Sequence, residues 1–119
     1  MKVNTNLLIK EANELHSHLI WEWRNDKKTR SLSRSRRKIS WEEHQKWFKK
    51  ILTSKNSFLY IGISDKSNNE KPIGVIRFDS IDFDKNHYEV SINIAPKSRG
   101  KGFGKLLLKA GTNKFKNDV

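Results

Sequence analysis

Arg99, Gly100, Lys101, Gly102, Phe103, Gly104 and Lys105 follow an apolar stretch that stops at Pro96, and their types suit a bound phosphate. Glycines let a backbone curl until several N–H groups point at one spot. A helix starting behind such a turn adds unsatisfied donors and a partial positive charge. Lys97, Arg99, Lys101 and Lys105 surround the turn with cations. Anion binding at a strand–turn–helix junction is the chemistry that this local pattern permits. A glycine-rich loop that only closes a strand–helix connection has the same appearance.

Spacing narrows the ligand. A dinucleotide fingerprint, G-x-G-x-x-G, needs glycine where Lys105 stands, and a P-loop needs glycine in place of Arg99 and Ser or Thr in place of Leu106. The spacing present is Arg99-x-x-Gly102-x-Gly104, a [QR]-x-x-G-x-[GA] signature preceded by an apolar strand ending in proline. Other chemistries lack support. The chain has no H-E-x-x-H, G-x-S-x-G or EF-hand pattern, and His16 and His18, two apart, do not share a helix face as a metal pair would.

The elements that position the turn can be read from periodicity. Tyr88, Val90, Ile92 and Ile94 alternate with Glu89, Ser91 and Asn93, the mark of a strand with two different faces. Pro96 has no N–H and ends its ladder, and Leu106, Leu107 and Leu108 open the apolar face of a final helix, Lys105 to Lys116. Upstream, Leu7-Leu8-Ile9 suggests a first strand within Val3 to Lys10. Asn13 can cap a helix to about Asp26 that presents Leu15, Leu19 and Trp23 on one face. Ser40 to Glu43 reads as a capping box opening an amphipathic helix that ends near Thr53, with His44 packed on its apolar stripe. Phe58 to Ile63 and Pro72 to Phe78 read as strands of an antiparallel hairpin across the polar link Ser64 to Lys71, and Asp79 to Asn86 turns into the strand at Tyr88.

Bulk composition sets wider bounds. The chain has 119 residues, which fits one domain or part of one, and no apolar run long enough to span a membrane. The start, Met1 to Asn6, lacks the apolar stretch of a secretory signal, and the absence of cysteine suits a cytoplasmic protein. A formal net charge of +12 favours anionic partners, nucleic acid or phosphorylated small molecules, although a lysine-rich composition alone gives the same charge. Lys27, Lys28, Arg30, Arg34, Arg36, Arg37 and Lys38 form a basic stretch without an acid. No aromatic residue interleaves it between Trp23 and Trp41, which favours contact with an anionic substrate over a nucleic-acid arm. A solvated loop has the same composition.

The glycine turn and its strand resemble the GNAT superfamily of acyl-CoA-dependent N-acyltransferases. The resemblance implies an α+β (α/β) fold with a mixed, mostly antiparallel sheet flanked by helices. Residues 1–119 would form a single domain matching the N-terminal two-thirds of that fold. Trp23-Arg24-Asn25-Asp26, Ile39 to His44, Trp47-Phe48, Ile73 to Phe78 and Glu89 to Ile92 resemble one branch, with N-acetyltransferases of amino sugars on nucleotide carriers as in pseudaminic-acid-type pathways. Ribosomal-protein N-terminal acetyltransferases share several of these words, so a peptide N-terminus is the alternative acceptor.

The implied co-substrate is acetyl-CoA, with no metal. Its pyrophosphate would lie on the N–H groups from Arg99 to Lys105. Its pantetheine arm would pair with the backbone of Ile92, Asn93 and Ile94, where an N–H can stabilise the oxyanion. Glu89 would act as general base on the acceptor amine, directly or through water, although a structural ion pair would also explain it. Arg24, Asn25 and Arg77 would bind the acceptor or shape its wall. In the family a further strand opens the CoA cleft, and a later helix often carries a tyrosine that protonates the leaving thiolate. Neither is here, and Tyr60 and Tyr88 do not fill that place. The expectation is a C-terminally truncated domain whose last strand is an exposed edge able to pair with a second copy. A CoA-binding remnant without turnover is the companion reading.

Overall fold

The computed structural model of the chain describes residues 7–33, 36–66, 69–81 and 87–119. Met1 to Asn6, Arg34 of the basic stretch, and parts of the two polar turns (67–68 and 82–86) lie outside the described residues. The order is β1 (Leu7–Glu11), a 3-10 turn (Glu14–His16), α1 (Ser17–Arg24), α2 (Lys27–Ser31), α3 (Trp41–Thr53), β2 (Ser57–Lys66), β3 (Asn69–Ser80), β4 (Tyr88–Ile94), a second 3-10 turn (Pro96–Ser98) and α4 (Phe103–Asp118). The four strands form one antiparallel sheet in the order β1-β2-β3-β4. No helix among the described residues is long and apolar enough to cross a membrane.

Side-chain alternation divides the sheet between two cores. Leu59, Ile61, Ile63 and Val75 pack with Ile20, Trp23 and Phe48 of α1 and α3. Tyr60, Ile76 and Phe78 point the other way, onto Leu107, with Phe115 against that cluster. Phe115 stacks on Phe78 at 4.2 Å between ring centroids, and the Tyr60 hydroxyl donates to Asp118 at 2.8 Å. Pro72 is accommodated at an irregularity, where the register passes from Gly62↔Gly74 to Ile63↔Pro72. A residue without an N–H is least costly there.

Several local expectations shift. Asn13 caps the 3-10 turn rather than a long helix, with its Oδ1 accepting the Leu15 N–H and its own N–H donating to His16 Nδ1. The tighter turn breaks the helical phase, so Leu15 is 90% exposed and Ile20 joins Trp23 in the core. Ser40 does cap α3 through the Glu43 N–H, but the Glu43 carboxylate does not reach back. Arg37 holds both its oxygens, at 3.0 and 2.9 Å. In α4, which begins at Phe103, Leu106 and Leu108 are exposed and Leu107 is fully buried. Three successive residues are spread about 100° apart around a helix, so Leu107, Gly111 and Phe115 share the sheet-facing side instead.

The close approach of β4 to β3 depends on Gly74. A Cβ there would lie 2.9 Å from the backbone oxygen of Asn93 and 3.1 Å from Leu107 Cδ2. At Gly104 a Cβ would meet nothing within 4 Å. Urea denaturation should therefore show Gly74→Ala destabilising the fold by about 1–3 kcal/mol. Gly104→Ala should change stability by less than about 1 kcal/mol, in the stabilising direction.

Candidate functional site

β4 is the outer strand, and its register leaves one row of backbone groups unpaired by the sheet. The Ala95 N–H donates to the Ile73 carbonyl at 2.8 Å. The antiparallel alternation then turns the N–H and C=O of Asn93, Ser91 and Glu89 towards β3, and those of Ile94, Ile92 and Val90 outward. The Ile94 carbonyl on this free edge accepts from Arg99 Nε at 3.2 Å. Asn93 therefore contributes no backbone group to the edge. Its side chain is engaged as well, with Nδ2 donating to the Trp23 carbonyl at 3.2 Å and Oδ1 accepting from Thr29 Oγ1 at 3.2 Å.

At the end of β4 the 3-10 turn of Pro96–Ser98 leads into the glycine segment. Gly100 has φ +76° and Gly102 has φ +81°, left-handed values that L side chains rarely adopt. Gly102 is the residue preceding α4 and supplies no side-chain cap. The first-turn N–H groups of Phe103, Gly104 and Lys105 have no intrahelical acceptor and point with the helix dipole. Lys101 and Lys105 are exposed beside them, and a Cβ at Gly100, Gly102 or Gly104 would meet open space. An anion can approach this backbone closely, so the segment fits a pyrophosphate. The Arg99 side chain does not point to such a ligand. It turns inward, where Nη1 donates to Asp26 Oδ2 at 2.8 Å and Nη2 to Thr29 Oγ1 at 2.8 Å. Arg99 lowers the Asp26 pKa below its ordinary value of 3.8, chiefly through this hydrogen bond.

On the helix side of the sheet, a cavity of about 140 Å³ opens beside Ser91, Ile92 and Asn93. Arg24, Arg77, Trp47 and Thr29 complete its polar and aromatic wall. The Arg24 guanidinium carbon lies 4.0 Å over the Trp47 ring, and that of Arg77 lies 5.3 Å from it. Arg77 Nε donates to Asp79 at 2.7 Å, while Arg24 Nη1 lies 3.1 Å from His44 Nδ1. His44 is completely buried, with Nε2 2.8 Å from the Ser17 carbonyl. A carbonyl only accepts, so Nε2 carries the proton and Nδ1 accepts from Arg24. Burial first, and then the Arg24 charge, push the His44 pKa down to about 4, so the ring is neutral near pH 7. A larger groove of about 600 Å³ lies outside α1 and α3, between Leu15 and Trp41, and no residue of β4 or the glycine turn lines it.

The turn, the free edge and the small cavity are thus contiguous along one strand end. The sequence matches the family model of the acetyltransferase (GNAT) domain over residues 6–119. The chain belongs to the GNAT acetyltransferase domain family. Among solved structures, a domain from Methanocaldococcus jannaschii DSM 2661 matches this GNAT domain with a TM-score of 0.78 and 19% identity, over 96% of this chain and 72% of that one. Spermidine N-acetyltransferase from Vibrio cholerae, solved with CoA and spermine, gives 0.77 at 18% identity, over 90% of this chain and 62% of the other. Spermidine/spermine N-acetyltransferase from the same organism, solved with manganese ions, gives 0.66 at 19% identity, over 88% and 58%. The chain spans less than two-thirds of the length of both Vibrio cholerae structures. These identities establish a shared fold. No curated protein matches the sequence.

Within this GNAT domain some expected site residues meet and others do not. Arg24 and Arg77 share the cavity with the β4 residues. Asn25 lies apart, its amide paired at both ends with the backbone of Ile39, at 2.7 and 2.8 Å, so it fastens the end of α1 to the approach of α3. Glu89 is exposed on the same strand face as Ser91, opposite Asp79 and outside the cavity lining. Asp79 is the carboxylate that pairs with Arg77. Thr29, Trp47 and Ser91 line the cavity although sequence spacing did not single them out. The Trp47-Phe48 pair was a signal for Trp47, but nothing in the basic stretch distinguished Thr29.

The neutral, buried His44 gives a pH signature. Between its ordinary pKa of 6.5 and about 4, unfolded chains bind a proton that the folded chain refuses. Folding stability should therefore fall as pH drops through that window, by on the order of 2–3 kcal/mol. Equilibrium unfolding at several pH values should record this slope, and His44→Gln should flatten it.

Proposed function

We propose that this GNAT domain carries out acetyl-CoA-dependent N-acetyl transfer in the cytosol, to the primary amine of a small acceptor, with a nucleotide-linked amino sugar as the favoured class. One observation carries the reading. The free backbone edge at Ile92 and Ile94 lies between a positive-φ glycine turn and a small cavity lined by Arg24 and Arg77. The turn from Gly100 to Lys105 would hold the pyrophosphate, and the outward groups of Ile92 and Ile94 would pair with the pantetheine arm as another strand would.

Acetyl-CoA supplies an activated thioester. The acceptor nitrogen forms the new N–C bond, the C–S bond breaks, and the sulfur leaves as thiolate. The Ile92 N–H, on the free edge and further from the turn, would donate to the developing oxyanion, which leaves the Ile94 N–H to the pantetheine arm. Glu89, exposed two residues before Ser91, would take the amine proton, directly or through water. Arg24 and Arg77 form the acceptor wall. A homodimer paired along β4 would use the same edge groups, so that dimer and a bound pantetheine arm exclude each other.

Calorimetric titration of acetyl-CoA should give a saturable heat with the wild-type chain. Gly102→Glu forces a side chain onto a left-handed residue and sets a carboxylate at the turn, and it should weaken binding by roughly tenfold or more. A folded wild-type chain that binds no acetyl-CoA would refute the reading, as would a folded Gly102→Glu chain of unchanged affinity.

A further inference from the structure

The acceptor wall contains a charge imbalance. Arg24, Arg77 and Arg99 are half-buried arginines on one side of the sheet. Arg77 has Asp79 and Arg99 has Asp26 within ion-pair distance. Among the described residues Arg24 has no carboxylate at that distance. Its recorded partners are His44, which is neutral, and the face of Trp47. One of its five N–H donors is used, so the others remain for a ligand in the cavity that Arg24 lines. Arg24 stays protonated near neutral pH, although burial and then the neighbouring Arg77 lower its pKa to about 10; Glu43 acts on it from beyond ion-pair distance and offsets this in part, but both Glu43 oxygens are already held by Arg37.

A half-buried guanidinium beside a second one is costly to keep unless an anion arrives. The Trp47 ring lies against the Arg24 guanidinium and restrains it, so a carboxylate or phosphate can accept two parallel hydrogen bonds at little further ordering cost. Ser91, Ile92 and Asn93 line the same cavity, which places Arg24 one small molecule's length from the β4 edge where an amine would react. A polyamine would bring only further cations to this wall, and to a chain of formal net charge +12.

Building on the acetyl-transfer reading, we infer that Arg24 selects acceptors carrying an anionic group, a carboxylate or a phosphate, beside the amine, and that this domain discriminates against polyamines. The Vibrio cholerae neighbours share its fold, and the charge of this wall separates its acceptor class from theirs.

The test is calorimetric binding of three amines to the chain saturated with CoA, which prevents turnover. The probes are glucosamine 6-phosphate, β-alanine and spermidine. At least one anionic amine should bind tenfold or more tightly than spermidine, and the tighter of the two assigns phosphate or carboxylate. Arg24→Met should weaken that ligand at least tenfold while leaving acetyl-CoA affinity unchanged, and should not weaken spermidine, whose repulsion by this wall it removes. Arg24→Lys, which keeps the charge but loses the fork, should fall between. Spermidine binding as tightly as both anionic amines would overturn the inference, and so would anionic binding indifferent to Arg24→Met in a folded chain. If Arg24→Met does not fold, the wild-type ranking and Arg24→Lys decide alone. Acetyl-CoA binding is measured separately, so loss of the acetyl-transfer reading and loss of this selectivity give different results.

Discussion

Arg99 joins the parts of the molecule that a ligand would bridge. Its guanidinium donates to the Ile94 carbonyl on the free edge, to Asp26 at the N-cap of α2, and to Thr29 one turn later. The sheet edge, the α1–α2 corner and the start of the glycine turn are therefore tied together through one side chain. A planar fork can do this because its donors diverge at fixed angles, whereas an ammonium would hold one partner at a time. The Asp26 carboxylate both caps α2 and neutralises Arg99, so the charge is balanced inside the protein. Arg99 is accordingly a fastening between these elements, and the groups left to face an anion would be the backbone of the residues after it.

The same logic of paired and unpaired cations organises the remaining charge. Much of the basic stretch after Asp26 is spent on structure. Arg30 donates to the carbonyls of Asn25 and Arg36, and Arg37 grips Glu43. These bonds close the segment between α2 and α3 over the end of α1, where Trp21 and Asn25 both donate to the Ile39 carbonyl. Arg24 is the exception on the sheet face, held by the face of Trp47 and a neutral histidine. A buried neutral His44 suits that task because it accepts from Arg24 without adding a second positive charge.

The fold was legible where one period governs an element. The alternation from Tyr88 to Ile94, the proline after it and the glycine turn appear where their spacing put them, because strand pleat and left-handed φ are local demands. The hairpin of β2 and β3 and the capped α3 follow for the same reason. Misreadings occurred where two local rules competed. Leu15 continues a helical spacing, yet the Asn13 cap winds a 3-10 turn and rotates it outward. Glu43 satisfies a capping-box pattern, yet the stronger bidentate partner, Arg37, takes its carboxylate.

The sequence by itself determined the sheet strand, the glycine turn and the family, since all three reside in contiguous residues with fixed spacing. The tertiary structure decided which side chains line the cavity and which backbone groups stay outside the ladder. Register alone turns Ile92 and Ile94 outward and Asn93 inward, a choice made by pairing with β3 some eighteen positions earlier. Arg24, Trp47 and Arg77 come from α1, α3 and β3, and only packing on one sheet face gathers them around Ser91. Asn25, their neighbour in sequence, is turned away because the backbone of Ile39 satisfies its amide. Local propensity can place a residue on an element, but long-range pairing determines which of its groups are left free to bind.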